Sequence, residues 1–296
     1  MSLKVMNHFH QLKNHDFTVL SAIERLMINH KYAPIEEIPQ LTGFSESYVS
    51  SILSKLNKLQ LVTFWRQGPY DGVILQFNAY DALALRALAQ KDIVTGIGGP
   101  LGIGKEADVI LGDAPSGQVA VKIHRLGKHN FRDTKRKRGY IADKRHISRL
   151  YESRLAATHE FTAISELYDA GVSVPVPRGH NRHIVVMDLI EGVELQKIRY
   201  LSPEDYVMIY QETITGVHKA YKLGIIHADL SEYNIMLTDD LDPVLIDWPQ
   251  WIPVDHENAV EILKRDLDNL TIFFGKRGVN AEEFEKTYEL FEIPPD

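Results

Sequence analysis

Three polar side chains, Asp229, Asn234 and Asp247, stand at fixed places around two short apolar runs, and that arrangement leaves this chain few folds to choose from. They belong to His227-Ala228-Asp229-Leu230-Ser231-Glu232-Tyr233-Asn234 and to Leu245-Ile246-Asp247-Trp248-Pro249-Gln250. The apolar runs, 235–237 and 244–246, are separated by turn-forming Asp239-Asp240 and predict a hairpin. Its open end brings Asn234 and Asp247 side by side. Two oxygen ligands beside a third carboxylate suit Mg²⁺, a hard cation that keeps waters and takes few protein ligands. Phosphoryl transfer from a metal-bound triphosphate asks for the same trio: an Asp near the attacking hydroxyl, an Asn on one metal ion and an Asp on the other.

The rest of the chain supplies room for such a site. At 296 residues it is long enough for two domains with real cores, and 44% hydrophobic and 25% charged residues are ordinary soluble values. It has no Cys, which removes disulfides, thiolate metal sites and Cys nucleophiles and fits a reducing compartment. The start, Met1-Ser2-Leu3-Lys4-Val5, lacks the apolar core of a signal peptide, and no run approaches membrane-spanning length, so a cytoplasmic protein is expected. A net charge of −7 argues against wholesale nucleic-acid binding, but Arg125 to Arg154 holds eleven Lys/Arg against three acids.

Taken in order, residues 15–30 show helical spacing, 35–41 make a short second helix, and Ser45 caps a third with Val49, Ile52, Leu53 and Leu56 on one stripe. The runs 61–65 and 73–77 flank Gly68-Pro69-Tyr70-Asp71-Gly72, a hairpin with strong turn chemistry. Three helices and a hairpin are the winged-helix order, whose third helix is a candidate for nucleic-acid or protein contact. A linking helix over 81–89 and a Gly-rich joint over 91–100 put the domain boundary near residue 90.

Beyond it, Gly102, Gly104 and Lys105 read as a loop whose backbone N–H groups face phosphates. In the strand Val119-Ala120-Val121-Lys122-Ile123 the alternate residues Val119, Val121 and Ile123 face a core, and Ala120 and Lys122 share the other side. Small Ala120 admits an adenine ring, and Lys122 reaches the phosphates. The helical stretch 147–170 places Glu160 on its apolar stripe, where an unpaired carboxylate is costly, so Lys122 is the expected partner. Strands over 174–179 and 183–190 lead into Met187-Asp188-Leu189-Ile190, a connector whose backbone can read an adenine edge. A helix capped at Ser202 delivers the chain into the His227 loop, and a helix over 258–274 carries Asp266 and Asp268, one of them expected to brace that loop.

With these parts in order, residues 95–275 resemble the RIO family of atypical protein kinases, and the winged helix matches its second subfamily. The resemblance rests on Gly-x-Gly-Lys-Glu-x-Asp-Val, the basic insertion after the strand Lys, His-x-Asp-Leu-Ser-Glu-Tyr-Asn and Ile-Asp-x-Pro-Gln. It implies an α+β chain with a winged helix over 1–90 and a truncated bilobal kinase-like domain over 91–296, its N-lobe about 91–187 and its C-lobe about 191–296. It implies ATP with Mg²⁺ (or Mn²⁺ in its place) as cofactors. Gly102, Gly104, Lys105, Ala120, Lys122, Glu160, Met187, Asp188 and Ile190 would serve nucleotide binding. Asp229 would be the catalytic base, Asn234 and Asp247 the metal ligands, and Asp247 also a phosphate acceptor. Ala107, Trp248 and Asp188 stand where the family more often has Ser, Phe and Glu. Only forty-nine residues follow Asp247, with no Ala-Pro-Glu segment, so a conventional peptide groove has no room. The family's members act as ATPase switches on immature small ribosomal subunits, and the basic insertion 124–149 would suit ribosomal RNA phosphates. Two other readings are a small-molecule phosphotransferase of the aminoglycoside or choline kinase type and a nucleotide-sensing DNA-binding regulator. The Lys-Glu-x-Asp loop, the basic insertion and the winged helix weigh against the first, and the complete catalytic set against the second.

Overall fold

The computed structural model describes residues 9–66, 68, 70–104, 106–125 and 149–292, so Lys105 and most of the basic insertion lie outside the described residues. Helix α1 (Asn14–Leu26), strand β1 (Ala33–Pro34), a single 3₁₀ turn running into α2 (Ile38–Thr42), and α3 (Glu46–Lys58) come first. The Ser45 hydroxyl accepts the Tyr48 N–H at 3.4 Å to cap α3, which buries Val49, Ile52, Leu53 and Leu56 as their spacing predicts. Strands β2 (Val62–Trp65) and β3 (Gly72–Leu75) pair as the wing, and β1 adds to the far side of β3. This is a winged helix.

Helix α4 (Phe77–Ala89) starts earlier than the sequence suggests, and Phe77 opens the helix instead of closing the wing. It is buried on nearly every side, with Ala79 through Leu85 and Leu88 enclosed. A helix apolar all round must be wrapped by neighbours, and here they are the winged helix on one side and the next sheet on the other. The five-stranded antiparallel sheet runs β4-β5-β6-β8-β7, built from β4 (Gly96–Ile103), β5 (Ala107–Ala114), β6 (Gly117–His124), β7 (Pro177–Asn181) and β8 (Ile184–Asp188). The second half of the Gly-rich joint expected over 91–100 is therefore part of an edge strand. Pro100 is tolerated because β4 is an edge and its register slips on both sides of that residue. Strand β7 sits later than expected and β8 is shorter at both ends, and the turn between them falls on Arg182 (φ 53°) and His183.

The two faces of this sheet go to different cores. Val119, Val121, Ile123, Ile184 and Val186 join the winged helix in one continuous core. Ala120 and Lys122, opposite Met187 and Val185, line the other face. Arg182 reinforces the first contact, its Nε and Nη2 donating to the two oxygens of Glu24 on α1 at 2.9 and 2.6 Å.

Helix α5 (Arg149–Asp169) lies across the second face and ends at Gly171 (φ 73°), where the Val172 N–H closes on the Leu167 carbonyl at 2.9 Å. The chain then enters a second lobe: β9 (Gly192–Glu194), α6 (Pro203–Lys222), β10 (Ile225–Ile226), β11 (Ile235–Thr238), β12 (Pro243–Leu245), β13 (Ile252–Pro253), α7 (Ala259–Gly275) and α8 (Ala281–Leu290). Ser202 and Asp205 exchange 3.1 Å bonds in a capping box that starts α6. Strand β9, which the sequence does not reveal, pairs with β11. A Cβ at Gly192 would sit 2.3 Å from the Leu237 carbonyl oxygen, so only Gly fits there. Helix α8 is also unforeseen; Thr287 on it meets the Tyr210 hydroxyl of α6 at 2.7 Å. The inner face of α5, α6, α7 and Trp248 share the second core. A cleft is left between the free face of the sheet and this lobe.

Candidate active site

Lys122 projects from β6 into the cleft. Its ammonium meets Glu160 of α5 and donates to Asp247 Oδ1 at 2.5 Å. Glu160 is 1% exposed and Asp247 43%, so the three charges run from the core outward to the cleft. The other Glu160 oxygen meets His124 Nε2 at 2.7 Å, His124 lying two residues past Lys122 on the same face of β6.

The β11–β12 hairpin does what its sequence predicts. Ile235 lies opposite Leu245, and the Ile246 N–H donates to the Asn234 carbonyl at 2.9 Å, so Asn234 and Asp247 leave the open end together. Asn234 is buried, and its Nδ2 donates to the Asp229 backbone carbonyl at 2.7 Å. That bond commits the amide NH₂ to the loop and leaves the amide oxygen as the group with ligand character. Asp229 itself is exposed to the cleft. Ala228 (φ 64°) and Asp247 (φ 68°) are both left-handed non-glycine residues. Such strain costs of order 1–3 kcal/mol per residue and persists only where the surroundings over-determine it. His227 is part of those surroundings: it is buried, its Nε2 donates to the Ile246 carbonyl at 3.0 Å, and its ring lies 4.4 Å from that of Trp248. Burial holds its imidazole below the usual range, so it acts as a neutral N–H donor.

Across the cleft, Gly102 pairs with Val109 near the end of β4, and the Gly104 N–H closes the turn on the Ala107 carbonyl at 2.9 Å. A Cβ on Gly104 would stand 2.9 Å from that same oxygen, which explains the glycine. Ala120 faces Met187, and the connector follows. Arg178 grips Asp188 with two bonds of 2.5 Å, so the Asp188 carboxylate is turned to Arg178. Half-buried Ile190 completes the connector.

A model described as the RIO domain matches residues 107–287, and one described as Rio2, N-terminal matches residues 9–91. The chain belongs to the Rio2 branch of the RIO-type serine/threonine protein kinases. The Rio2 kinase of Methanocaldococcus jannaschii is 40% identical over 261 residues, 87% of this chain and 95% of that protein. The Saccharomyces cerevisiae RIO2 kinase is 35% identical, and this chain spans 65% of its length. A Chaetomium thermophilum structure, described as a Rio2 kinase-ADP/Mg2+-phosphoaspartate complex, is 29% identical with a TM-score of 0.81, covering 98% of this chain and 89% of that one.

Besides the brace expected on α7, several residues that hold this RIO site together are not evident from the sequence. Of the two candidate braces on α7, Asp266 takes the role: it is buried against the backbone N–H groups of Ala228 and Leu230, and burial raises its carboxyl to about 6 against the pull of Arg265. Arg265 donates to the Ala228 carbonyl at 2.6 Å, and Asn269 to the Leu230 carbonyl at 3.0 Å. Asp268 turns away to Lys264 and the Tyr288 hydroxyl. Helix α5 is latched to the strand end beyond Asp247: Trp251 stacks on His159 (4.4 Å, 7°) and its Nε1 donates to the His159 carbonyl at 3.0 Å. The available signals were His124 at the strand alternation of Lys122 and Trp251 just after the metal-loop motif. Neither identifies its partner without the fold.

Proposed function

We propose that this chain is an ATP- and Mg²⁺-dependent kinase and ATPase that serves as a switch in maturation of the small ribosomal subunit, with residues 1–90 as its winged helix and 91–296 as its kinase domain. The observation that carries the reading is the ammonium of Lys122 bridging Glu160 and Asp247 beside the Asn234–Asp229 loop. The donor set fits a hard cation. Asn234 offers an amide oxygen and Asp247 a carboxylate, and among the described residues no cluster of three His, Cys, Asp or Glu competes for a metal. Asn234 and Asp247 would hold Mg²⁺, which offsets triphosphate charge when bound. The bound ADP, Mg²⁺ and phosphoaspartate of the Chaetomium relative support the same assignment.

The chain's own residues then divide the work. Lys122, fixed by Glu160, binds the phosphates and releases Asp247 as they arrive. Gly102, Gly104 and Lys105 cover the phosphates with backbone and charge. Ala120, Met187, Asp188 and Ile190 frame the adenine, and because Arg178 occupies the Asp188 carboxylate, the connector's backbone reads the base. Asp229 orients the attacking hydroxyl or water and takes its proton. When Asp247 is the acceptor, its carboxylate oxygen attacks the γ-phosphorus, the bond to the bridging oxygen breaks and ADP leaves. Water then hydrolyses the acyl phosphate.

The partner is the precursor small ribosomal subunit and its RNA, met by the Lys/Arg-rich sequence of the basic insertion 124–149, with the winged helix a candidate second contact. No helix among the described residues is long and apolar enough to cross a membrane, which is compatible with a cytoplasmic site of action. Sedimentation with precursor small subunits tests the switch. The chain should travel with them in a non-hydrolysable ATP analogue and leave when ATP is supplied. Absence from the subunit fraction under both conditions would refute the ribosomal role.

A further inference from the structure

The nucleotide machinery comes from residues beyond 91, yet one carboxylate of α4 reaches it. Asp81 is 0% exposed. Its Oδ2 accepts from Arg125 Nη2 at 2.7 Å and its Oδ1 meets His183 Nε2 at 2.8 Å. Both partners lead onward to the cleft. Arg125 also donates Nε to Asp108 Oδ2 at 3.1 Å and its backbone N–H to the Glu106 carbonyl at 2.7 Å. Glu106 sits in the turn that Gly104 and Ala107 close. The His183 carbonyl accepts the His124 N–H at 2.9 Å, and His124 holds Glu160, the partner of Lys122.

Two routes therefore leave Asp81 through buried side chains, one by Arg125 to the exposed glycine turn and one by His183 and His124 to the lysine pair. As mere glue between helix and sheet this is poor design, because well-packed apolar groups join two surfaces as firmly as a buried ion cluster does. What the cluster adds is direction. The guanidinium fork of Arg125 is fixed by two carboxylates, and its own backbone N–H fixes the turn.

We propose that Asp81 is a positioning residue of the nucleotide site, setting the glycine turn through Arg125 and the Glu160–Lys122 pair through His183. The proposal rests on the ATP reading above. It makes the winged helix part of the nucleotide site rather than an appended domain.

Asp81→Asn keeps the shape and removes the charge. Calorimetric titration should show ATP bound about tenfold more weakly, with kcat kept within about twofold, the pattern of lost binding rather than lost chemistry. The kcat is spared because Lys122 keeps its own bonds to Glu160 and Asp247, so the cation is shifted rather than removed, and Asp229 and Asn234 sit in the other lobe. Arg125→Lys keeps the charge and loses the fork, and should give the same split should Asp81→Asn not fold. A lower melting temperature with ATP affinity and kcat both unchanged would make Asp81 structural only and overturn the proposal. A fall in kcat with affinity unchanged would overturn it too. Wild-type protein that binds no ATP would remove the nucleotide site itself, and the positioning role with it.

Discussion

Asp229→Asn should lower ATP turnover by about a hundred- to ten-thousand-fold, the usual worth of a positioned acid–base group, while ATP affinity stays within about threefold. The split follows from how the loop is held. The Asn234 amide donates to the Asp229 backbone carbonyl, and the braces from Arg265, Asp266 and Asn269 reach backbone at Ala228 and Leu230. The Asp229 side chain is exposed, and these named braces reach the backbone beside it rather than its carboxylate. Exchanging one carboxylate oxygen for an amide nitrogen leaves those braces and the strained Ala228 turn in place and takes away the base. Steady-state hydrolysis and an ATP titration on the same preparation measure both quantities. Unchanged turnover, or affinity falling in step with turnover, would contradict the role of Asp229.

Lys122→Ala should remove both activity and stability, and the stability loss should depend on pH with a defined sign. Burial favours the uncharged amine of Lys122, but Asp247 and Glu160 outweigh it and raise its pKa well above the ordinary lysine value. Burial likewise pushes Glu160 up, yet Lys122 and His124 bring it down to about 2 from an ordinary 4.5. A carboxylate depressed in the fold contributes stability that is present above its unfolded pKa and is lost as pH falls through the folded one. Without the lysine, Glu160 is a buried charge with its main partner gone, a loss of about 3–5 kcal/mol near neutral pH. Protonation of the unpaired Glu160 relieves that cost in the variant as pH falls towards about 4.5, and below about 4.5 the wild type loses its own contribution, so the gap should narrow as pH drops from neutral. Urea unfolding at about pH 7 and about pH 4 reads the gap. A gap of equal size at both would show that the pair is not what stabilises α5 against the sheet. Turnover at neutral pH should fall at least about a hundredfold, since the preorganised cation for the phosphates is gone.

Much of this was legible beforehand, and the reason lies in local chemistry. Strand alternation put Lys122 and Ala120 on one face, hairpin length put Asn234 next to Asp247, and helical spacing put Glu160 on an apolar stripe that demanded a cation. Each is a short-range pattern that the fold repeats without change. What stayed hidden depends on contacts distant in sequence. The direct bond from Lys122 to Asp247 spans the two lobes. The stacking of His159 on Trp251 joins a helix to a loop far along the chain. Strand β4 hid behind glycines and Pro100, which only an edge position makes compatible with a sheet, and β9 is too short to show any period. The burial of Asp81 was invisible for the same reason, because a lone Asp in a helix pattern normally reads as solvated.

The account stands most directly on the claim that Asn234, Asp247 and Lys122 surround one metal-bound triphosphate. The dissociation constant of ATP, measured with Mg²⁺ and again with excess chelator, in wild type and in Asp247→Asn, tests it. Wild-type protein should bind ATP at least about tenfold more tightly with Mg²⁺ present, and Asp247→Asn should lose most of that gain. Equal affinity with and without the metal in wild type, or a full Mg²⁺ effect in Asp247→Asn, would contradict it.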